Sequence, residues 1–307
     1  MNEIGKRIAD KLAEIYGSKY FSIAFLPYKR SMWNSMASVC EECKKAGART
    51  FVIPLPYIRR SMQDGSEILD IDEFEDSTNR EHLSELSLDF VVIHYPYDGN
   101  NKVTRMLPKY YTAELRKYGK VVYIPYSCTN MRQLRVQPGL ANIDYAFLGS
   151  EDEAESFISE WNELGIDFSG KVFGYGSPKM DAILKLKHEH NPGEKFVTLV
   201  INSLGPYLQA PFERIRLYQH YISNEIGAGH AVIFRPHPLL RQTIKSMRPD
   251  TMAVYEKFIS WCETRDHVKV DESEYLEDAL EQVDFLISDP SSVLEMWIST
   301  GREYRLI

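Results

Sequence analysis

Residues 284–297 have the sequence DFLISDPSSVLEMW, an apolar run followed by a short polar turn and the start of a helical pattern. The apolar run is typical of a strand in a parallel sheet, because such strands are buried on both faces. The helix begins at Ser291 and Ser292, so hydroxyl groups and free backbone N–H groups lie together at a helix N-terminus. This arrangement suits a phosphate or diphosphate. The competing interpretation is an ordinary helix start, since Ser292 and Glu295 have the spacing of a capping box and such caps are common.

Apolar runs of this kind recur along the chain and alternate with helical patterns. The predicted strands are 21–27, 50–55, 89–95, 120–125, 145–148, 195–202, 230–235, 267–270, 284–287 and 304–307. The predicted helices are 32–46, 110–118, 151–164, 207–226, 250–261 and 292–299. This alternation predicts an α/β fold with two Rossmann-like, doubly wound domains facing a cleft. We place the N-terminal domain at 1–175 and the C-terminal domain at 176–307.

The composition excludes several classes of protein. A chain of 307 residues with 44% hydrophobic residues can bury two cores. Its net charge of −8 argues against a basic face that binds nucleic acid. Four cysteines are too few for a disulfide framework, and no stretch approaches the length of a membrane span. We therefore expect a cytoplasmic protein.

A second polar segment follows the predicted strand 230–235. Arg235 and His237 leave the end of this strand in a loop that two prolines stiffen. A guanidinium binds two phosphate oxygens at once, and an imidazole donates to a leaving-group oxygen, so both residues are predicted to bind a charged ligand. The alternative for His237 is a hydrogen bond to a neighbouring loop carbonyl. Asn202 and Ser203, which follow the first strand of the C-terminal half, are further candidates for contacting the same ligand.

The combination of these segments resembles the CDP-glycerol glycerophosphotransferase family of teichoic-acid-type polymerases and primases. That family carries an R-P-H-P loop and a D-x-L-I-[ST]-D-Y-S-S turn, and this chain has RPHP at 235–238 and DFLISDPSS at 284–292. The segment GSPKMD at 176–181 is similar to the family's G-x-P-[RK]-x-D. The resemblance covers residues 171–307. It implies a GT-B fold whose C-terminal domain holds a CDP-linked donor as substrate, without a metal or other cofactor.

The resemblance also implies roles for single residues. His237 would stabilise the diphosphate leaving group, Ser291 and Ser292 would bind its phosphates, and Asp289 would shape the turn. Pro290 stands where the family has tyrosine, which puts the identity of the donor in question.

The N-terminal half departs further from the family. Its members have a W-H-G-type segment whose histidine resembles a general base, whereas the corresponding strand end here, 123–130, has no histidine. His94 and Asp98, at and after another strand end, are the alternative candidates for acid/base chemistry. For His94 the competing interpretation is a histidine packed among tyrosines.

One loop of the N-terminal half is predicted to bind an acceptor. Lys29, Arg30 and Ser31 follow the first predicted strand and are candidates for binding an acceptor phosphate. The competing interpretation is that exposed Lys and Arg side chains in a loop are only solvated.

The leading hypothesis is a transferase that moves glycerol-phosphate or a related polyol-phosphate from a CDP-linked donor to a hydroxyl acceptor in cell-envelope polymer synthesis. A polyol-phosphate or lipid-linked acceptor would bring the enzyme to the inner face of the membrane as a peripheral protein. Two alternatives stay open. One is a nucleotide-sugar glycosyltransferase or UDP-sugar 2-epimerase, and the other is a non-catalytic nucleotide-binding or scaffold relative. Family members continue beyond the last predicted strand, so the chain is also expected to be shortened at its C-terminus.

Overall fold

The computed structural model describes residues 2–28, 30–55, 57–63, 66–72, 83–98, 106–128, 135–186, 193–273 and 275–307, with the backbone alone for 30, 31, 57–63 and 66–72. The chain divides into two compact units, Met1–Ala182 and Ile183–Ile307. Each unit is built around its own parallel sheet.

The N-terminal unit contains a six-stranded sheet with the order β2-β1-β5-β6-β7-β8, in which every pair is parallel. A separate antiparallel pair is formed by β3 and β4. The strands are β1 (Ser22–Phe25), β2 (Arg49–Val52), β3 (Tyr57–Gln63), β4 (Ser66–Asp72), β5 (Phe90–Ile93), β6 (Lys120–Tyr123), β7 (Tyr145–Phe147) and β8 (Val172–Phe173).

Helices cover this sheet. They are α1 (Glu3–Tyr16), α2 (Ala37–Ala46), α3 (Thr112–Leu115), α4 (Glu151–Glu163) and, where the two units meet in sequence, α5 (Lys179–Ile183). Short 3-10 helices occupy Arg30–Ser35, Leu83–Glu85, Pro108–Tyr110 and Pro138–Asn142. Two apolar clusters, one containing Val91 and Val121 and the other Phe90 and Val122, use alternate residues of the central strands. This alternation is expected of a sheet that is buried on both faces.

The C-terminal unit contains a five-stranded parallel sheet with the order β11-β10-β9-β12-β13. The strands are β9 (Val197–Ile201), β10 (Ala231–Arg235), β11 (Val268–Val270), β12 (Phe285–Ser288) and β13 (Tyr304–Leu306). The helices are α6 (Leu204–Gln209), α7 (Pro211–Gly227), α8 (Leu240–Met247), α9 (Met252–Glu263), α10 (Leu276–Leu280) and α11 (Ser292–Ile298), with a 3-10 helix at Pro249–Thr251. Phe234 of β10 and Phe258 of α9 pack edge to face within its core.

An aspartate precedes three of the parallel strands and joins each to its neighbour. Asp89 accepts the backbone N–H of Ser22 (2.8 Å), and Asp284 accepts that of Val197 (2.7 Å). Asp144 does the same for Val121 (2.8 Å). Each carboxylate thus pairs a backbone donor at the start of a strand that would otherwise lack a partner.

The predicted α/β class with parallel sheets is confirmed. The predicted helix 207–226 was wrong in one respect, because two helices occupy this region and the second starts at Pro211. Proline lacks the N–H that a continuous helix needs but fits the first position of a new one. The predicted elements do not include α5, α8, α10, β8 or the β3–β4 pair.

Candidate functional site

The candidate site of the C-terminal unit lies where the strand order reverses. The chain passes from β9 outward to β10 and β11, and then returns to the other side of β9 to form β12 and β13. Ligands of open α/β sheets bind outside the carboxyl ends of strands at such a point. The segments that follow β9, β10 and β12 are those that the sequence analysis selected.

Asn202 stands at the carboxyl end of β9 and is only 1% exposed. Its Oδ1 accepts the backbone N–H of His237 (2.9 Å), which joins the β9 and β10 loops. Its Nδ2 makes no hydrogen bond to any of the described residues. A buried donor without a partner costs about 1–3 kcal/mol. Asn202 therefore presents a donor that a ligand oxygen would satisfy.

His237 is half-buried in the loop after β10. Its Nδ1 accepts the backbone N–H of Leu239 (3.2 Å), so in the neutral ring the proton is on Nε2. Burial lowers the pKa of His237 and favours this neutral form. The imidazole thus offers an Nε2–H donor. Its hydrogen bond within the loop is to the backbone N–H of Leu239 and not, as the alternative predicted, to a loop carbonyl.

Asp289 follows β12 and is fully buried. Its Oδ2 accepts the backbone N–H of Ser203 and the hydroxyl of Tyr218, both at 2.8 Å. Its Oδ1 lies 2.7 Å from Nη2 of Arg214, which makes an ion pair, although the geometry of this contact is not that of a hydrogen bond. Asp289 therefore joins the β9 and β12 loops, and its role in shaping the turn for a ligand stays a prediction.

The two serines of the turn differ in their contacts. Ser291 is the N-cap of α11, and its Oγ accepts the N–H of Leu294 (3.1 Å) and lies 3.2 Å from Ser288 Oγ. Ser292 is exposed in the first turn. The predicted Ser292–Glu295 capping box is thus replaced by a cap at Ser291. The hydroxyl of Ser203 donates to the carbonyl of Pro290 (3.1 Å), which ties this turn to the β9 loop.

Arg235 has contacts that differ from those predicted. Its Nη1 pairs with the carboxylate of Asp271 and donates to Ser273 Oγ (2.9 Å), and its Nη2 donates to the Ser273 carbonyl (2.8 Å). Arg235 is buried at the end of β10 and thereby fixes the loop after β11. Its guanidinium is directed at protein partners, so we assign Arg235 to positioning this loop instead of binding two phosphate oxygens.

His94 in the N-terminal unit is also structural. It is 0% exposed, its Nε2 accepts the N–H of Tyr28 (2.8 Å), and its Nδ1 donates to Ser35 Oγ (2.8 Å). Burial lowers the pKa of His94 to about 3, so the ring stays neutral. With both ring nitrogens engaged, His94 does not fit the predicted acid/base role, and the packed-histidine interpretation describes it.

Asp98 retains features expected of an acid/base group. Its Oδ2 accepts the backbone N–H of Thr112 (2.9 Å) and the Thr112 hydroxyl. No donor among the described residues reaches its Oδ1, although the residue is only 9% exposed. Burial raises the pKa of Asp98 above its ordinary value, against the opposing effect of Thr112. A buried carboxylate with one free oxygen and a raised pKa suits proton transfer.

The predicted acceptor-binding loop falls largely outside the described residues. Lys29 is not described, and of Arg30 and Ser31 only the backbone is described, within the 3-10 helix Arg30–Ser35. Within the described part of the chain, no three His, Cys, Asp or Glu side chains are grouped to hold a metal ion. No helix in that part is long and apolar enough to cross a membrane.

Several partners of the site were not found by sequence reasoning. Arg214 and Tyr218 lie one helical turn apart on α7, a spacing that places both on one face. Thr112 and Asp271 contact Asp98 and Arg235, and neither belongs to a recognisable motif. The paired spacing on α7 was a usable signal, but only the fold reveals that Asp289 lies beside that face.

No protein-family model matches the chain. No curated protein matches it either. Solved structures do match. The UDP-GlcNAc 2-epimerase from Neisseria meningitidis bound to UDP-GlcNAc has a TM-score of 0.55 and 15% identity over 92% of this chain and 81% of its own. The enzyme of the same name from Methanocaldococcus jannaschii, in complex with UDP-GlcNAc and UDP, has a TM-score of 0.55 and 12% identity over 93% and 88%.

The wall teichoic acid polymerase TagF also matches, with a TM-score of 0.45 and 13% identity over 97% of this chain and 74% of its own. A score this low supports no conclusion, so the resemblance to the CDP-glycerol transferase family stays a prediction. Identities this low show the fold alone. The two parallel-sheet units and these neighbours give the chain a GT-B-like, Rossmann-type fold.

Proposed function

We propose that the chain is an enzyme acting on a nucleoside-diphosphate-linked sugar and that its C-terminal unit binds the diphosphate. The observation that carries this proposal is the buried Nδ2 of Asn202, at the carboxyl end of β9, which makes no hydrogen bond to any residue that the structure describes. A phosphate oxygen would supply that acceptor, and hydrogen bonds to charged acceptors are stronger than those between neutral groups.

The donors at this site are neutral groups. Asn202 Nδ2, His237 Nε2–H and the hydroxyls of Ser291 and Ser292 would each donate to diphosphate oxygens. The cations Arg235 and Arg214 have carboxylate partners inside the unit. Binding would therefore depend on hydrogen-bond geometry at an acceptor-rich group, which a diphosphate provides better than a single carboxylate.

We favour a UDP-sugar 2-epimerase over a transferase because of the solved structures that share its fold. Two structures with the same fold and TM-scores above 0.5 are UDP-GlcNAc 2-epimerases that hold UDP-GlcNAc, one of them together with UDP. Inverting a sugar at C2 requires a proton to leave that carbon and a proton to return to its opposite face. Asp98 is the proposed group for such an exchange, because its pKa is raised and its Oδ1 has no hydrogen-bond partner among the described residues.

The second candidate is the CDP-polyol phosphotransferase. Its support is the order and spacing of RPHP at 235–238 and DFLISDPSS at 284–292. In that reaction the acceptor hydroxyl attacks the donor phosphorus, the bond to the leaving CMP breaks, and Asp98 takes the hydroxyl proton. The acceptor would be a polyol-phosphate or a lipid-linked chain, which would make the enzyme cytoplasmic and peripheral to the membrane.

Calorimetric titration tests the diphosphate site. We expect the wild type to bind UDP or CDP, and we expect Asn202→Ala, His237→Ala and the Ser291→Ala/Ser292→Ala double variant each to weaken binding by about ten-fold or more. Asn224→Ala is the matched control, because Asn224 is an exposed asparagine on α7 that contacts His220. No binding by the folded wild type, or equal loss in the control, would contradict the proposal.

Turnover separates the candidates. Incubation with UDP-N-acetylglucosamine in D2O should produce the C2 epimer with deuterium at C2, whereas the transferase would release CMP from CDP-glycerol in the presence of an acceptor. Tight binding without either product would support the non-catalytic alternative instead.

A further inference from the structure

The turn that carries Ser291 and Ser292 contains a buried negative charge. Asp289 lies two residues before Ser291, and its carboxylate is 0% exposed and directly bonded to the N–H of Ser203. The two loops proposed to bind a diphosphate are thus joined by a buried carboxylate. A buried carboxylate close to a bound anion repels it, because the interior screens charge less than water does.

The structure also supplies a compensating charge. Arg214 Nη2 lies 2.7 Å from Asp289 Oδ1, and the Arg214 side chain is 19% exposed. The hydroxyl of Tyr218 donates to the other carboxylate oxygen, and the carboxylate helps to raise the pKa of this tyrosine, after the larger effect of burial. Tyr218 therefore remains a neutral donor, and Arg214 is the group that cancels the charge of Asp289.

We propose that Arg214 is a positioning and specificity residue that neutralises Asp289, so that the loops after β9 and β12 accept a diphosphate. This inference rests on the proposed diphosphate site. Arg214 then acts through Asp289 and does not itself touch the ligand. The competing explanation is that Arg214 binds the phosphates directly.

A double-mutant cycle separates these explanations. We expect Arg214→Gln to weaken UDP binding by roughly ten-fold, since it leaves one unpaired negative charge near the anion. Asp289→Asn should tighten binding, because the positive charge of Arg214 then has no carboxylate partner and attracts the bound anion. The Arg214→Gln/Asp289→Asn double variant should bind within about three-fold of the wild type. Arg214→Lys, which keeps the charge, should also retain binding.

Arg216→Gln is the matched control. Arg216 is an exposed arginine on the same helix, so this variant removes the same charge without touching Asp289. The Arg214→Gln defect should shrink as salt is raised from 50 to about 500 mM, whereas a purely structural defect would not depend on salt in this way. Circular dichroism and urea unfolding confirm that each variant is folded.

Three results would overturn the proposed role of Arg214. Failure of the wild type to bind UDP or CDP overturns the proposed function and this inference with it. Wild-type binding that Arg214→Gln leaves unchanged overturns the inference alone. A double variant as weak as Arg214→Gln shows that Arg214 contacts the ligand directly and also overturns it.

Discussion

Replacing Asp98 with asparagine should make the protein more stable and inactive. The substitution keeps an oxygen for the backbone N–H and hydroxyl of Thr112, and it removes the charge from a carboxylate that is 9% exposed. The oxygen Oδ1 has no partner among the described residues, so the ionised group is only partly compensated. Residues whose charge is costly to the fold are often retained for function.

The size of the expected change in the free energy of unfolding follows from Oδ1 of Asp98, which makes no hydrogen bond to the described residues. A buried acceptor without a partner costs about 1–3 kcal/mol, and more when it is charged. The new amide NH2 also needs a partner, so only part of this cost is recovered. We expect Asp98→Asn to raise the free energy of unfolding by about 1 kcal/mol at pH 7.5. Loss of an acid/base group should reduce turnover by about 10²–10⁴-fold.

The effect on stability should depend on pH with a definite sign. Burial raises the pKa of Asp98 in the folded state. Its contribution to stability is therefore fully present below the unfolded pKa, near 3.9, and is lost as pH rises through the folded value. Asparagine does not titrate, so the advantage of the variant should be largest at pH 7.5 and should shrink toward pH 4.5.

Urea unfolding of both proteins at several pH values measures this difference. Thr112→Val is the control, because it removes a donor to the same carboxylate and should destabilise the protein. If Asp98→Asn is less stable than the wild type at pH 7.5, the negative charge of Asp98 stabilises the fold and the predicted gain in stability is wrong. Full activity in that variant would refute the acid/base role.

Three other predictions concern single contacts. Binding of UDP-N-acetylglucosamine, whose diphosphate does not titrate near neutral pH, should be the same at pH 7 and pH 8 in calorimetry, because burial lowers the pKa of His237 and favours its neutral ring. Gly139→Ala should lower the free energy of unfolding by about 1–3 kcal/mol, since the added Cβ would lie 2.8 Å from Asp98 Cγ. Asp181→Ala should cost about 1–2 kcal/mol in urea unfolding but leave nucleotide affinity unchanged, because its carboxylate accepts the N–H groups of Ile4 (3.1 Å) and Gly5 (2.7 Å) at the start of α1.

The strands were predictable because each of them is a run of consecutive, mostly apolar residues. FVVI at β5 and VTLVI at β9 are apolar on both faces, and only a sheet covered on both sides buries such runs. The two-residue strand β8 is too short to carry a pattern. The helix Leu240–Met247 is short and was missed, although its buried residues Leu240 and Ile244 have the i, i+4 spacing of an amphipathic helix.

The site was predictable only as positions along the chain. Strand ends identified the loops of Asn202, His237 and Ser291, because parallel strands bring their carboxyl ends to one edge. Sequence could not reveal which charged groups have partners. Arg235 and His94 are residue types expected of a site. Arg235, however, is paired with Asp271, 36 residues away in sequence, and His94 is hydrogen-bonded to Ser35, 59 residues away.

The internal pairing of buried charges explains why neutral groups are the strongest candidates for binding a ligand. Burying a charge without a partner costs more than burying an amide, so a fold tends to pair its buried cations internally. Arg235 and Arg214 follow this rule with Asp271 and Asp289. Asn202 does not, because a single unpaired amide NH2 is a cost that a folded unit tolerates. An unpaired neutral donor at a strand end is therefore a stronger indication of a ligand than an arginine in the same loop, and Asn202→Ala should reduce UDP affinity more than Arg235→Lys does.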